Sequence, residues 1–188
     1  MKKALYGTSL LDGGYLVVHP VMPFGWGKND DQDFTVQCNV ELFSELCAYG
    51  KELGVGVCVE NMPFAAYPLS RTAALAEFVR TSGIPNLSIC LDTGHSNLFA
   101  DDCGEMVRVC GDLLRTLHVH DNNGKQDQHG IPFTGTIDWE NFRCALRDTG
   151  FGGCLSLETG VSGRYPMHIR NQMLKGLAMT ADYLAFNE

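Results

Sequence analysis

The chain contains short apolar runs, and each of them ends at a polar or ionisable residue. Five of them stand out, at residues 15–19, 55–60, 87–92, 116–120 and 154–158. Their apolar character is nearly continuous and does not alternate strictly, which is typical of parallel strands buried on both faces. The pattern therefore predicts five parallel β-strands.

Segments with apolar residues at helical spacing separate these runs. They predict helices over residues 39–53, 70–81, 102–114, 138–149 and about 166–186, and a short strand-like or helical piece within 1–14. Ser70 and Asp138 are the predicted N-caps, and Gly54, Gly83 and Gly150 are predicted to end helices. Strand and helix alternate throughout, which favours a parallel α/β sheet with right-handed crossovers.

The order of the elements favours one architecture. Neither GxGxxG nor GxxxxGK[ST] is present, so a nucleotide-binding doubly wound sheet loses its main support. A closed eight-unit barrel needs about 250 residues, more than this chain provides. We predict a partial (β/α) TIM-type barrel of about five parallel strand-helix units. No linker or repeat interrupts it, so residues 1–188 are predicted to form a single domain.

Composition narrows the class of protein further. The 188 residues are 45% hydrophobic and 19% charged, as in folded globular proteins. A net charge of −8 argues against a nucleic-acid partner, because neutralising phosphates needs a basic face. The chain has no run of roughly 20 apolar residues, so no membrane partner is expected. Eight cysteines without a CxxC pair predict reduced, mostly buried thiols and a cytoplasmic protein.

Ionisable residues collect where the predicted strands end. Five of the six histidines lie there, namely His19, His95, His118, His120 and His129. The loops at that end of a β/α-barrel converge on one axis, and buried charge at such density requires pairing or a metal ion.

One predicted metal site takes a donor from each of four consecutive strands: Glu60, Asp92, His118 and Glu158. Oxygen and imidazole donors of this kind suit Mn, Mg, Co or Zn and leave positions for a substrate. His118 and His120 have the same strand parity, so either one can face the axis.

Several motifs follow one another in a specific order. They are VHP at 18–20, ENMP at 60–63, LDTGH at 91–95, HVHDN at 118–122, DQH at 127–129, GTIDW at 135–139 and LE at 157–158. In combination they resemble the xylose isomerase-like TIM barrel superfamily. That superfamily includes sugar phosphate isomerases/epimerases and the apurinic endonuclease IV group. The resemblance runs from about residue 15 to residue 160, and LDTGH and HVHDN carry most of its specificity.

The resemblance implies roles for particular residues. The family's four metal ligands match Glu60, Asp92, His118 and Glu158, and Asp121, three positions after His118, supports His118 over His120. His95 matches a position that contacts substrate in epimerases or a second metal in the endonucleases. The residues that match possible additional metal ligands are His19, His95, Asp127 and His129.

The chain differs from the family that it resembles in its number of predicted strands. Its barrel has eight strands, and the five predicted here resemble the fourth to the eighth. We therefore expect either an N-terminally truncated barrel or one completed by a partner, and we expect a homo-oligomer because open sheet edges favour self-association.

The functional hypothesis is a divalent-metal-dependent sugar isomerase or epimerase. Glu60 and Glu158 would move a proton next to the substrate carbonyl through a metal-stabilised enediolate. The expected substrate is a small sugar, phosphorylated or not. The residues expected to contact it are His19, Asn61, His95, His120 and Trp26. Three alternatives remain open: a polyol dehydratase or lyase, an endonuclease IV-like phosphodiesterase, and an inactive truncated barrel.

Overall fold

A five-stranded parallel sheet forms the centre of the protein, whose computed structural model describes residues 1–185. The strands are β1 (Tyr15–Val18), β2 (Gly56–Glu60), β3 (Leu87–Asp92), β4 (Leu114–Val119) and β5 (Cys154–Leu157). Each strand pairs in parallel with the next strand of the sequence. The sheet curls into a half-barrel with helices around it, which confirms the predicted fold class.

Within the described residues 1–185, seven α-helices accompany the sheet. They are α1 (Lys2–Leu10), α2 (Gln32–Glu52), α3 (Thr72–Ser82), α4 (Thr93–Leu98), α5 (Cys103–Cys110), α6 (Trp139–Asp148) and α7 (Met167–Ala185). Four of them begin at an aspartate whose carboxylate accepts a backbone N–H of the first turn: Asp31, Asp92, Asp102 and Asp138. None of the helices within residues 1–185 has the length and apolar character needed to cross a membrane.

The start of two helices differs from the prediction. Helix α2 begins at Gln32, well before residue 39, because Asp31 caps it from a loop that carries no apolar periodicity. The predicted N-cap at Ser70 is wrong, because Arg71 occupies that position and makes no side-chain cap bond. The Asp138 N-cap and the end of α3 at the left-handed Gly83 (φ 61°) are confirmed.

Two further segments differ for local reasons. The helix predicted over 102–114 stops at Cys110, because Gly111 takes φ 51° and a 3-10 turn leads directly into β4 at Leu114. Helix α4 was not predicted, since its sequence TGHSNL holds few helix formers and starts from the Asp92 cap. Residues 1–14 contain α1, and the predicted end of the last helix at Phe186 lies outside the described residues.

The central strands are the best buried part of the molecule. Val57 and Val59 of β2, Ile89 and Leu91 of β3 and Leu117 of β4 are all inaccessible to solvent. Burial of such a side chain contributes about 1.5–3 kcal/mol relative to leaving it exposed. Strands β1 and β5, at the two edges of the sheet, are only partly buried. The ends of β2, β3 and β4 are therefore held by a dense core.

The cysteines belong mostly to that core. All eight are free thiols, and five of them are buried: Cys47, Cys58, Cys90, Cys103 and Cys110. Burial raises the pKa of Cys58 to about 11, so this thiol stays protonated at neutral pH. Cys154 in the edge strand β5 is exposed.

Candidate metal centre

Four ligand-type side chains converge at the carboxyl end of the sheet. Glu60 and Asp92 are the last residues of β2 and β3, His118 lies one residue before the end of β4, and Glu158 follows β5. The parallel register places Asp92 opposite His118. One donor atom from each of the four side chains lies within 4.8 Å of the others. The residues predicted as the metal site are thus brought together.

His118 lies between the two glutamates of this group. Its Nδ1 is 2.9 Å from Glu60 Oε1 and 3.2 Å from Glu158 Oε2. The Oε2 atoms of Glu60 and Glu158 are buried, and each lies 3.2 Å from one histidine nitrogen, His19 Nε2 and His118 Nδ1 respectively. Clustered, partly buried carboxylates favour a cation beside them, and three carboxylates with one imidazole are a donor set that divalent ions accept. The residues present therefore fit a divalent metal ion.

Asp92 is the most tightly held member of the group. Its Oδ1 accepts the backbone N–H of His95 at 2.7 Å, and His120 Nε2 lies 3.1 Å from Oδ1 and 3.2 Å from Oδ2. Asn61 bonds the backbone of Asp92 twice, accepting from its N at 2.7 Å and donating to its O at 3.0 Å. The predicted substrate contact of Asn61 stays a prediction, and in the structure its side chain holds Asp92.

The LDTGH and HVHDN segments pack directly on each other. Thr93 Oγ1 donates to the backbone O of His120 at 2.7 Å and accepts from its N at 3.1 Å. A Cβ on Gly94 would lie 1.9 Å from His120 Cε1, so only glycine fits against this ring. Sequence reasoning missed both contacts, although the LDTGH motif that contains Thr93 and Gly94 was the available signal. The His120 ring is fully buried, and its predicted substrate contact remains a prediction.

A second group of ligand-type residues adjoins the first. Asp127 Oδ2 lies 3.4 Å from both His95 Nε2 and His129 Nε2, and Asp127 Oδ1 lies 3.7 Å from His120 Nε2. The rings of His120 and His129 stack with centroids 4.0 Å apart. Three of the four predicted additional metal residues, His95, Asp127 and His129, thus come together. The fourth, His19, contacts Glu60 instead, with 3.2 Å between Nε2 and Oε2.

An aromatic group borders the site near His19. Trp26 lies on the loop after β1 and is 70% exposed. Its ring makes edge contacts with His19 at a centroid distance of 6.3 Å and with Phe64 at 5.6 Å. An exposed indole held between two rings offers an apolar surface beside the carboxylates.

The electrostatics of the site couple carboxylates to histidines. Burial alone would raise the pKa of Glu60, but hydrogen bonds from His118 and His19 outweigh it and lower the value to about 2. Burial raises the pKa of Glu158. Burial would lower the pKa of His95, yet Asp127 and Asp92 raise it to about 9. Protons on the histidines and a divalent ion therefore compete for the same carboxylates.

The fold and the cluster define a β/α-barrel protein with a candidate metal centre at the carboxyl ends of its strands. The family model described as "Xylose isomerase-like TIM barrel" matches residues 1–183, and the chain belongs to that family. The family predicted from the motifs is thereby confirmed.

Particular relatives extend this result. The chain is 28% identical over 147 residues to a D-psicose 3-epimerase of Agrobacterium fabrum, covering 78% of this chain and 48% of the relative. The crystal structure of a D-tagatose 3-epimerase-like protein is 26% identical with a TM-score of 0.76, covering 97% of this chain and 68% of that one. A structure titled "IOLI protein with a binding zinc atom" (TM-score 0.80, 19% identical, covering 100% of this chain and 69% of that one) shares the fold. This chain spans about half the length of the curated relatives that it matches.

Proposed function

We propose that this chain carries the metal centre and the proton-transferring glutamates of a divalent-metal-dependent sugar epimerase or isomerase. The observation that carries the proposal is the convergence of Glu60, Asp92, His118 and Glu158, with donor atoms within 4.8 Å of one another. One similar protein is named as a D-psicose 3-epimerase and another as a D-tagatose 3-epimerase-like protein, which supports a ketose as the substrate. Residues 1–188 would act as one domain.

The four ligands would hold one divalent ion, which supplies Lewis-acid polarisation of a substrate carbonyl and its neighbouring hydroxyl. Glu60 comes from β2 and Glu158 from just after β5, with β3 and β4 between those strands, and both carboxylates contact His118 Nδ1. Two carboxylates placed in this way can meet a carbon atom from two sides. One removes the proton next to the carbonyl and the other returns a proton to the opposite face.

The remaining residues bind and orient the sugar. His19 is half exposed beside Glu60, so its ring is placed to donate a hydrogen bond to a substrate hydroxyl. The Nδ1–H of His95 donates to the backbone O of Asn61 at 2.8 Å, which leaves Nε2 directed toward Asp127. Trp26 offers its exposed face to the C–H surface of a sugar ring.

Solvent hydrogen exchange tests this proposal. The chain loaded with Mn²⁺ is incubated with D-psicose, D-tagatose or D-fructose in D₂O, and NMR follows deuterium at the carbon next to the carbonyl together with the epimer formed. We expect exchange in the wild type and a loss of at least about 100-fold in Glu158→Gln, the range for a positioned acid or base. Glu140→Gln, which changes an exposed glutamate of α6, is the matched control. Undiminished exchange in Glu158→Gln contradicts the proposal.

A second candidate function is metal-dependent phosphodiester hydrolysis. The observation that favours it is the second ligand group, in which Asp127 lies 3.4 Å from two histidine nitrogens and could share a further ion with them. Two metal ions about 3.5–4 Å apart stabilise the attacking and leaving oxygens of phosphoryl transfer. Cleavage of a duplex containing an abasic site, without sugar exchange, would favour this candidate. A metal titration that ends at one equivalent would count against it.

A further inference from the structure

The carboxylate of Asp121 gathers N–H groups from a long stretch of chain. It is fully buried, and its Oδ1 accepts from the backbone N of Asn122 at 2.9 Å and of Thr136 at 3.1 Å. Its Oδ2 accepts from the backbone N of Gly135 and from Trp139 Nε1, both at 2.9 Å. One carboxylate therefore ties the beginning of the loop at 122–138 to its end.

The backbone of Asp121 fixes the same loop at a third point. Its N donates to Gly130 O at 2.9 Å, and Gly130 N donates to its O at 2.7 Å. The approach is close enough that a Cβ on Gly135 would lie 2.2 Å from Asp121 Oδ1. Both glycines thus allow the loop to wrap tightly around this residue.

His129, the neighbour of Gly130, connects the loop to the metal centre. The Nδ1–H of His129 donates to the backbone O of Glu158 at 2.9 Å, and Thr159 Oγ1 donates to the O of His129 at 2.8 Å. On its other side, Glu158 N donates to Val119 O of β4 at 3.0 Å. Glu158 lies beyond the last residue of β5, so its position depends on the loop as well as on the sheet.

We propose that Asp121 is a positioning residue, whose carboxylate holds the 122–138 loop so that His129 keeps Glu158 at the metal centre. Within residues 1–185, Asp121 has no hydrogen bond or ion pair to any of the four ligands and acts through Gly130 and His129. Its link to proton transfer rests on the proposed function. Its effect on the loop and on metal binding requires no substrate.

The loop contains its own reporter, because Lys125 is exposed near the tip. Trypsin cleaves exposed chain that can open locally, so cleavage after Lys125, read by mass as fragments 1–125 and 126–188, measures how firmly the loop is held. In Asp121→Asn the side chain keeps its shape, but one acceptor oxygen becomes an NH₂ group that faces N–H donors. We expect cleavage after Lys125 to be at least about tenfold faster.

A second substitution, at Gly135, disturbs the contact between the loop and Asp121 from the loop. Gly135→Ala places a Cβ against Asp121 Oδ1 and should accelerate the same cleavage. The controls are matched in chemistry. Asp138→Asn alters the N-cap of α6, where asparagine caps as well as aspartate. Gly152→Ala adds a Cβ that meets no atom of residues 1–185 within 4 Å.

Measurements of metal affinity distinguish a role of Asp121 in positioning Glu158 from a role in stabilising the loop alone. We expect Mn²⁺ to bind about tenfold more weakly to Asp121→Asn and Gly135→Ala than to the wild type, as when an outer partner of a ligand is lost. The visible spectrum of bound Co²⁺ should shift as Glu158 withdraws. Neither control variant should change either quantity.

Two results would overturn the proposal. One is an unchanged rate of cleavage after Lys125 in a variant that unfolds cooperatively. The other is faster cleavage with Mn²⁺ affinity within about twofold of the wild type, which would leave Asp121 a loop anchor without influence on Glu158. If Asp121→Asn does not fold, Gly135→Ala decides by the same criteria. Absence of sugar exchange in the wild type would count against the epimerase alone, because these readouts need no sugar.

Discussion

The candidate site has two halves that the chain holds by different means. The strand-borne half consists of Glu60, Asp92 and His118, whose side chains are 2%, 0% and 22% exposed. The loop-borne half consists of Asp127, His129 and Glu158, whose side chains are 30%, 40% and 42% exposed. The first half lies on buried central strands, and the second lies on or beside the connection that follows β4.

This difference shows where the rigidity of the site originates. In the strand-borne half the parallel ladder and the surrounding core set the ligand positions before any ion binds. The loop-borne half has less of this support: Glu158 keeps one backbone bond to β4, and the rest depends on individual hydrogen bonds such as those of Asp121 and His129. Ligands that are fixed in advance lose less conformational entropy on binding. We therefore expect the strand-borne half to dominate metal affinity.

The largest effect should follow the loss of Asp92. Asp92→Ala removes a ligand and also leaves His120 and the N-terminus of α4 without their acceptor. We expect Mn²⁺ affinity, measured by calorimetry, to fall by more than the roughly 10–100-fold typical for an outer partner of a ligand. Asp112→Ala, which changes an exposed carboxylate just before β4, is the control and should bind normally. A loss below about threefold would mean that Asp92 is not a ligand.

A matched pair of substitutions compares the two halves directly. Glu60→Gln and Glu158→Gln make the same chemical change at the buried and at the half-buried glutamate. We expect Mn²⁺ affinity to fall about 100-fold in the first and about tenfold in the second, because Glu60 is held by the sheet and the core. Calorimetric titrations at one pH provide both values. The reverse order would show that the loop-borne half controls binding.

A smaller effect concerns the packing beneath the strand-borne half. Gly94→Ala forces a Cβ into the His120 ring and should lower the free energy of unfolding by about 1–3 kcal/mol, as overpacking does. Urea denaturation measures this change. Gly176→Ala, in α7, adds a Cβ with no atom of the described residues within 4 Å and should instead raise stability by about 0.5–1 kcal/mol. Equal effects of the two changes would refute the packing of His120 against Gly94.

We expect the smallest change in function from a substitution in the loop that follows β1. Trp26→Ala removes an exposed ring that contacts His19 and Phe64 but makes no part of either half. We expect KM for the sugar to rise roughly fivefold, equivalent to about 1 kcal/mol, with kcat nearly unchanged. Phe34→Ala, which removes a ring packed on Phe24, should leave KM as it is. Steady-state kinetics that show a fall in kcat alone would exclude an apolar wall at Trp26.

The sequence predicts the strand-borne half better than the loop-borne half, for a physical reason. A strand buried on both faces needs a continuous apolar run, and its polar terminator, such as Glu60 or Asp92, is visible without knowing the fold. The role of Asp121 depends on hydrogen-bond donors that are distant in the sequence, as far away as Trp139. No local sequence pattern predicts such contacts.

The alternation of residues along a strand likewise predicts which face of the sheet a side chain lies on, but it does not predict how deeply that side chain is buried. His118 and His120 have the same parity in the sequence, yet His118 is partly exposed beside the glutamates while His120 is enclosed by Gly94. The short helix α4 escaped prediction because its cap, Asp92, is also the end of a strand. In both cases the missing information is the packing of β3 against β4.

An anomalous difference map from crystals grown with Mn²⁺ tests the metal centre most directly. We expect a strong peak with the donor atoms of Glu60, Asp92, His118 and Glu158 around it at about 2.0–2.3 Å. A peak that these four residues do not surround, or no peak when calorimetry shows that the ion is bound, would contradict this expectation.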